Sequence, residues 1–272
     1  MGRPQVAVLG AGSMGEIFAS GLLRAGWDPS ELKLAVRREE RAKELEYHTG
    51  IETLRSLPET VGTREVLVVA VKPKDIPTVL TEIAPIVTSD QTVVSIAAGV
   101  PLAVFEESLV EVPVVRAMPN TPSAVDMGMT AYTCGAHVDE EHHARARLVL
   151  GSVGETLELS EDLLDAVTAV SGTGPAYVFL LAESLIEAAI REGLPHHAAE
   201  RLVHQTLRGS GELLATSDKS AFRLRGEVTS PGGTTASAMH VLEDGGFRAL
   251  VEDAVRAAAQ RSRDLGDKAT ER

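Results

Sequence analysis

The chain has 272 residues, of which 44% are hydrophobic and 24% charged, ordinary values for a globular protein. A formal net charge of −13 argues against binding to nucleic acid or to anionic lipid, because phosphate contacts need clustered lysine and arginine. The single cysteine, Cys134, excludes an intrachain disulfide and a metal cluster built from cysteines. The sequence contains no run of about 18 uninterrupted apolar residues, so no membrane span is predicted. Its first residues do not show the pattern of a signal peptide. We therefore expect a cytoplasmic protein without a metal site.

The first half of the sequence alternates short apolar runs with amphipathic segments, which predicts parallel strands separated by helices. In chain order, the predicted elements are a strand at 5–9, a helix at 14–24, a strand at 33–36, a helix at 39–47, strands at 66–71, 92–96, 112–117 and 129–133, a helix at 140–150 and a strand at 156–159. The run at 66–71 is apolar throughout, as is typical of a strand buried on both faces.

After Ser160 the strand-like runs disappear, and periodic segments rich in alanine, leucine and glutamate predict helices at 176–192, 198–215 and 247–265. Gly193 and Pro195 indicate where one helix ends and the next begins. The predicted fold is thus an α/β Rossmann-type domain over residues 1–160, followed by an all-helical domain over residues 161–272.

A glycine-rich loop joins the first predicted strand to the first predicted helix. Glycines at 10, 12 and 15 satisfy the pattern G-x-G-x-x-G. In a dinucleotide-binding fold the first glycine permits a tight turn, the second lets the backbone approach a pyrophosphate, and the third allows the helix to pack closely on the strand. The strand–turn–helix context favours this interpretation over a purely structural glycine turn.

The end of the second strand discriminates between the two nicotinamide dinucleotides. NAD enzymes place an acid there for the ribose 2′-hydroxyl, whereas an arginine accommodates the 2′-phosphate of NADP. This sequence has Arg37 and Arg38 at that position, so we expect NADPH to be preferred and NADH to be accepted less well. The alternative is an ordinary solvated helix start, since Glu39 and Glu40 follow.

Five segments together resemble pyrroline-5-carboxylate reductase, the family of enzymes that completes L-proline synthesis. They are residues 71–73 (Val-Lys-Pro), 95–100 (SIAAGV), 116–122 (RAMPNTP), 165–177 (DAVTAVSGTGPAY) and 228–235 (VTSPGGTT). The resemblance covers essentially the whole chain and implies a Rossmann domain followed by a helical domain through which subunits dimerise. Such dimers commonly assemble further, often into decamers. Leu57 stands where many members carry an asparagine near the adenine, and residues 217–224 lack a proline that many members have.

The resemblance also implies the site residues. The predicted cofactor contacts are Leu9, Gly10, Ala11, Gly12, Ser13, Met14, Gly15, Arg37, Arg38, Ala70, Val71, Lys72, Pro73, Ala97, Ala98 and Asn120. The predicted substrate contacts are Ser230, Gly232, Gly233, Thr234 and Thr235. Residues 230–235 carry two glycines before a predicted helix, so that backbone N–H groups can hold a carboxylate without lysine or arginine.

Reducing the cyclic imine needs a bound carboxylate, a C=N carbon near the nicotinamide, and a proton for nitrogen. A protonated imine is strongly electrophilic, so positioning and charge placement are expected to supply most of the acceleration. Both the position in the first helical turn and the resemblance point to the Thr235 hydroxyl as the group that contacts the imine nitrogen. The alternative is that Thr234 or Thr235 is an ordinary helix N-cap.

Other interpretations compete for particular residues and for the whole chain. Adjacent histidines point apart on a helix, so the pairs 142–143 and 196–197 are interpreted as surface residues rather than metal ligands. A β-hydroxyacid dehydrogenase shares the two-domain plan, but it uses a lysine at the start of the long helix, and residues 172–181 contain none. A dinucleotide sensor without a substrate site would not need the intact 230–235 loop.

Overall fold

The computed structural model describes residues 2–270, with side chains described as far as Gly266. These residues form two compact units. The first contains the chain up to Thr173 together with the residues from Ala257 onward, and the second is Gly174–Arg256. The C-terminal helix therefore begins in the second unit and ends in the first. The predicted domain division at 160/161 lies earlier in the chain than this boundary and stays a prediction.

The first unit is built on an eight-stranded sheet. Its strands are β1 (Val6–Leu9), β2 (Leu32–Ala35), β3 (Glu52–Leu54), β4 (Val66–Val69), β5 (Thr92–Ser95), β6 (Val114–Met118), β7 (Gly128–Cys134) and β8 (Gly154–Glu158). The order across the sheet is β3-β2-β1-β4-β5-β6-β7-β8. The first six strands thus follow the order of the doubly wound dinucleotide-binding fold, and the predicted Rossmann-type fold is confirmed.

One pair of strands departs from the predicted parallel sheet. β7 runs antiparallel to β6, and β8 then pairs in parallel with β7. The connection between β6 and β7, residues 119–127, is shorter than the roughly dozen residues that a parallel crossover needs, so the chain turns back on itself. The short strand β3 is a second difference, because no strand was predicted there.

Helices cover both faces of the sheet. In the first unit they are α1 (Ser13–Arg24), α2 (Glu39–Thr49), α3 (Leu57–Val61), α4 (Ile76–Ile83), α5 (Leu102–Ser108), α6 (Glu140–Leu150) and α7 (Leu164–Val167). Consecutive residues of β1 point to opposite faces of the sheet. Val6 and Val8 join a core with α1, α2 and α6, while Ala7 and Leu9 join one with α3, α4 and α5. Burial of each large aliphatic side chain contributes about 1.5–3 kcal/mol of transfer free energy.

The second unit is built from helices and the turns between them, with no strand among its described residues. It contains α8 (Gly174–Arg191), α9 (His196–Thr216), α10 (Ala221–Glu227), α11 (Thr234–Asp244) and the first part of α12 (Phe247–Thr270). Gly193 has φ +94° and Pro195 is the N-cap of α9, so the predicted helix punctuation is confirmed. No residue of α8 is buried within the chain, and Phe179 on this helix is 61% exposed.

One helical stretch is long and apolar enough to cross a bilayer by length and composition. It spans Glu161–Arg191 and includes α8, and 6% of its most apolar window is buried within the chain. Core helices of soluble proteins also meet this criterion. The stretch contains charged residues at both ends and within α8, so it is not an uninterrupted apolar run.

Candidate cofactor and substrate sites

A cavity of about 780 Å³ lies in the first unit at the carboxyl ends of the strands. Its walls include residues that follow or end β1, β2, β4, β5 and β6. β1 and β4 flank the point at which the strand order reverses, which is where open α/β sheets bind their ligands. The volume falls within the range of about 300–1,000 Å³ that is common for cofactor sites.

Most of the predicted cofactor residues line this cavity. They are Gly10, Ala11, Gly12, Ser13, Met14, Arg37, Arg38, Ala70, Val71, Lys72, Pro73, Ala97 and Ala98. The structure therefore brings together segments that are separated by up to about 90 positions in the chain. Lining residues that were not predicted to contact the cofactor include Arg41, Arg55, Asp75, Met118 and Pro119.

The glycine loop has the geometry that its three glycines predict. Gly10 has φ +93°, and a Cβ there would lie 2.4 Å from Cγ1 of Val71. A Cβ on Gly15 would lie 2.7 Å from the Gly10 carbonyl oxygen, so only glycine lets α1 pack this closely on the loop. A Cβ on Gly12 would have no atom within 4 Å among the described residues. Gly12 thus leaves open space at the cavity wall.

The backbone of the loop is anchored on one side and available on the other. The N–H groups of Gly10 and Ala11 both donate to the carbonyl oxygen of Ala35, at 3.0 and 3.1 Å. Gly12 is the N-cap of α1, and the N–H groups of a first helical turn have no partner within their own helix. The partial positive charge of this helix end and its free N–H groups suit a pyrophosphate.

Four arginines surround the part of the cavity that adjoins β2. Arg37 forms two hydrogen bonds with the Asp75 carboxylate, at 3.2 and 3.0 Å. Arg41 is paired with Glu16 and with Glu44. For Arg38, by contrast, no ion pair or side-chain hydrogen bond is found among residues 2–266, whose side chains are described, although its charge adds to that of Arg41 in lowering the pKa of Glu44. Of the two predicted arginines, Arg38 is therefore the one whose guanidinium has no direct partner among these residues.

The fourth arginine, Arg55, was missed because it follows β3, a strand that was not predicted. β3 pairs in parallel with β2, so the residue after β3 lies beside the residues after β2. Accordingly, Nε of Arg55 donates to the carbonyl oxygen of Arg37 at 3.3 Å. Recognising a third strand would have placed Arg55 at the cavity.

The loop that contributes Ala97 and Ala98 packs against the C-terminal helix α12. Gly99 follows them with φ +75°, and a Cβ there would approach Cβ of Leu265 on α12 to 3.3 Å. Farther along, one Glu161 oxygen accepts hydrogen bonds at 2.8 Å from both the N–H of Leu102 and the guanidinium of buried Arg116. Arg116, part of a segment that carries the family resemblance, therefore positions the loop rather than lining the cavity.

Three predicted cofactor residues are not among those that line the cavity. Leu9 is fully buried in the sheet, and Gly15 lies beneath the loop. The Asn120 side-chain amide donates to the Ser171 carbonyl oxygen at 3.0 Å and accepts from the Met129 N–H at 2.9 Å. The structure thus gives Asn120 a role in holding backbone segments together, and a cofactor contact for it stays a prediction.

The predicted substrate loop belongs to the second unit. The Gly233 N–H donates to the Ser230 carbonyl oxygen at 3.1 Å, and Gly232 has φ +71°. With Pro231 at the second position, this is the arrangement of a type II turn. The turn occupies the Gly233 amide, which was expected to face a ligand. Other donors in this segment include the N–H groups at the start of α11, beginning with Thr234 and Thr235.

The structure also tests the alternative role of the threonines. The N-cap of α11 is Gly233, which has extended backbone geometry and forms no side-chain cap. Thr235 is the second residue of the helix and is half-buried, and no hydrogen bond involves its hydroxyl among the described residues. The helix-capping explanation is therefore wrong, and the Thr235 hydroxyl is available to a ligand.

The histidine pairs differ from one another. His196 and His197 are exposed on α9, as predicted. His142 and His143 are only half-buried rather than fully on the surface. Nδ1 of His142 lies 2.6 Å from Asp139, whereas Nε2 of His143 lies 2.9 Å from the Tyr132 hydroxyl. The two side chains point apart, but His143 reaches a polar cluster beside the sheet.

The doubly wound sheet, the glycine loop and the arginines together define an oxidoreductase class that binds a nicotinamide dinucleotide. Residues 5–99 match the family described as NADP oxidoreductase, coenzyme F420-dependent, and residues 161–265 match that described as pyrroline-5-carboxylate reductase dimerisation. The chain belongs to the pyrroline-5-carboxylate reductase family, and the resemblance found in its sequence is confirmed.

Similar proteins match over almost their whole length. A pyrroline-5-carboxylate reductase from Corynebacterium melassecola is 40% identical over 265 residues, with 96% of this chain and 98% of that protein covered. The structure of the Coxiella burnetii enzyme superposes with a TM-score of 0.91 at 35% identity, covering 97% of this chain and 99% of that one. The Plasmodium falciparum enzyme, solved with NADP bound, has a TM-score of 0.89 at 32% identity and covers 98% and 99%.

Proposed function

We propose that this chain reduces 1-pyrroline-5-carboxylate to L-proline, with NADPH as the preferred hydride donor and NADH accepted less well. The observation that supports this most strongly is the intact turn and helix start at residues 230–235 in a chain that matches this family from end to end. A dinucleotide sensor without a substrate site would not need this glycine-rich loop, nor the Thr235 hydroxyl that has no hydrogen-bond partner among the described residues.

The proposed roles of the residues follow from their geometry. The amides at the start of α11 bind the substrate carboxylate, since they carry partial positive charge and lack helical partners. The Thr235 hydroxyl hydrogen-bonds the ring nitrogen and orients the C=N bond. NADPH, when bound, supplies a hydride to the imine carbon, and the nitrogen retains its proton to give the secondary amine. Charge placement and orientation account for catalysis without a strong general acid.

The cofactor is proposed to bind across the cavity of the first unit. The first turn of α1 holds the pyrophosphate, and Ala97 and Ala98 contact the nicotinamide half. Arg38 and Arg55 bind the 2′-phosphate, joined by Arg37 if it leaves Asp75. A guanidinium forms paired, charge-assisted hydrogen bonds with phosphate, which a ribose hydroxyl cannot match.

A steady-state assay tests the proposal. The oxidation of NADPH is followed by its absorbance. The substrates compared are pyrroline-5-carboxylate, other small cyclic imines, and the oxo acids that a hydroxyacid dehydrogenase would reduce. We expect fast turnover with pyrroline-5-carboxylate and formation of proline. Turnover with the oxo acids alone would instead assign the chain to the hydroxyacid dehydrogenase class.

The arginines give a prediction about cofactor choice. Replacing Arg37 and Arg38 together with alanine is expected to raise KM for NADPH by about tenfold and to change KM for NADH little. Hydrogen bonds to charged groups contribute about 1.5–3 kcal/mol, and these exposed side chains should fall at the lower end. Kinetics with both cofactors measure the effect.

A matched control uses Arg64, which precedes β4 at the opposite end of that strand from the cavity. Arg64→Ala should leave both KM values unchanged. Asp75→Asn should lower KM for NADPH, because it releases Arg37 and removes a carboxylate from the cavity wall. An equal loss with NADPH and NADH in the double variant would contradict the assignment of the 2′-phosphate site.

We propose further that the protein is a cytoplasmic homodimer that assembles into a larger homo-oligomer such as a decamer, without membrane or nucleic-acid partners. The support is the dimerisation match together with the exposed apolar side chains of α8, including Phe179 and Leu180. Many large apolar side chains exposed along one helix are normally covered in an assembly. A second copy would also cover the stretch that is apolar enough for a bilayer.

Light scattering tests the assembly. We expect a dimer or larger species at micromolar concentration, and Phe179→Glu should shift the protein toward monomer because it places a charge on the apolar face. Phe222→Glu is the control, since Phe222 is 76% exposed but lies on α10. An active wild-type monomer at that concentration would rule the proposal out.

A further inference from the structure

Away from the cofactor cavity, four polar side chains meet beside the last strands of the sheet. Cys134 ends β7, His143 belongs to α6 and Glu158 ends β8. One ligand atom from each of these three, the thiol sulfur, a ring nitrogen and a carboxylate oxygen, lies within 4.8 Å of the other two. The fourth side chain of the cluster is that of Tyr132, two residues before Cys134 on the same face of β7.

The contacts within the cluster are close. Nε2 of His143 lies 3.2 Å from a Glu158 carboxylate oxygen and 2.9 Å from the Tyr132 hydroxyl. The same Tyr132 hydroxyl donates to Glu158 at 3.4 Å. Tyr132 is itself buried and pairs with Glu158 in the β7–β8 register, so the backbone fixes their separation. Three different secondary-structure elements thus converge on one small volume.

The chemistry of the donor set is that of a borderline-soft divalent cation. Zn²⁺ takes thiolate, imidazole and carboxylate ligands at about 2.0–2.3 Å in a tetrahedral arrangement. Three such ligands within 4.8 Å of one another need only small side-chain movements to reach that geometry. The exclusion drawn from the cysteine count applies to clusters of several cysteines, so this mixed set lies outside it. A site here would, however, replace the expectation from the sequence of a protein without a metal site.

The surroundings of the three side chains suit a cation. Cys134 is half-buried beside the Glu158 carboxylate. A positive ion at this place would offset the negative charge of Glu158. The cation would also tie the edge strand β8 to β7 and α6.

We propose that Cys134, His143 and Glu158 form a structural binding site for Zn²⁺, with water or the Tyr132 hydroxyl as the fourth ligand. The site is independent of the reductase chemistry. Its role is to fasten the edge of the sheet, because its three protein ligands come from the last two strands and the helix that packs on them.

The test uses full-length protein stripped of metal with a chelator and then titrated with Co²⁺, a spectroscopic substitute for Zn²⁺. We expect a thiolate-to-cobalt charge-transfer band that saturates at one equivalent per chain and is lost when Zn²⁺ is added. Zn²⁺ should also raise the melting temperature of the wild type. The sulfur band distinguishes this site from exposed histidines on α9, which would bind without it.

Single-residue variants distinguish binding at this site from binding elsewhere on the protein. Cys134→Ser should abolish the band and the Zn²⁺-dependent rise in melting temperature, and His143→Gln should weaken Co²⁺ binding at least tenfold. His142→Gln is the matched control, because its neighbouring ring faces Asp139, and it should bind as the wild type does. Glu158→Gln, at a residue exposed enough to spare the fold, should also weaken binding. Absence of the band in the wild type, or equal affinity in His143→Gln and His142→Gln, would overturn the proposal.

Discussion

Replacing Thr235 with valine is expected to lower kcat/KM for pyrroline-5-carboxylate by about tenfold or more, which corresponds to ~1.4 kcal/mol or more of transition-state stabilisation. Valine keeps the shape of the side chain and removes the hydroxyl that would contact the ring nitrogen. NADPH affinity should remain near that of the wild type, because the loop is assigned to the substrate. Steady-state kinetics and NADPH titrations measure both quantities.

The structure removes one other explanation for a loss of activity in this variant, namely the loss of a helix cap. Because Gly233 is the N-cap of α11, loss of the Thr235 hydroxyl should not cost the ~0.5–2 kcal/mol of a lost helix cap. The melting temperature of Thr235→Val should therefore change little. Thr235→Ser should recover most of the activity. Ser237→Ala, which removes only a hydroxyl bonded to the Gly233 carbonyl oxygen, is the control. Near-wild-type turnover in Thr235→Val would reduce the proposed site to backbone amides.

Replacing Gly12 with valine is expected to weaken NADPH binding by about a hundredfold, or ~2.7 kcal/mol. Gly12 has φ −75° and ψ −156°, an extended conformation that valine adopts readily, and a Cβ there has open space around it in the described structure. The added side chain would occupy the volume that the pyrophosphate needs. The fold should be intact, so the melting temperature without cofactor should stay close to that of the wild type.

Gly15 provides the opposite result on the same loop. A Cβ at this position would lie 2.7 Å from the Gly10 carbonyl oxygen, so Gly15→Ala should destabilise the protein by about 1–3 kcal/mol through overpacking. Thermal melts and NADPH titrations of both variants distinguish the two effects. If Gly12→Val bound NADPH as tightly as the wild type, the cofactor would have to lie elsewhere.

The sequence specified much of the first unit because its strands are buried on both faces and are punctuated by glycine and proline. The glycine loop was predictable for the same reason, since only glycine satisfies φ +93° at Gly10 and the close packing at Gly15. Strand β3 was missed because its three residues are too few to show a period. That omission concealed Arg55, whose position depends on the pairing of β3 with β2.

Other features depended on contacts between distant residues that no local pattern encodes. Asn120 sits within a segment typical of the family, yet its amide is held by Ser171 and Met129. The pairing of Arg37 with Asp75 joins residues 38 positions apart. Likewise, His143 was interpreted from its neighbour on the helix, whereas its position is determined by Tyr132 and Glu158 on the sheet.

Transfer of deuterium from the cofactor to the product tests the central proposal most directly. The enzyme is supplied with pyrroline-5-carboxylate and NADPH deuterated at C4 of the nicotinamide, each C4 stereoisomer in turn, and the product is examined by mass spectrometry. We expect proline that carries one deuterium on the former imine carbon with one stereoisomer and none with the other. Oxidation of NADPH without labelled proline from either stereoisomer would contradict direct hydride transfer to the imine.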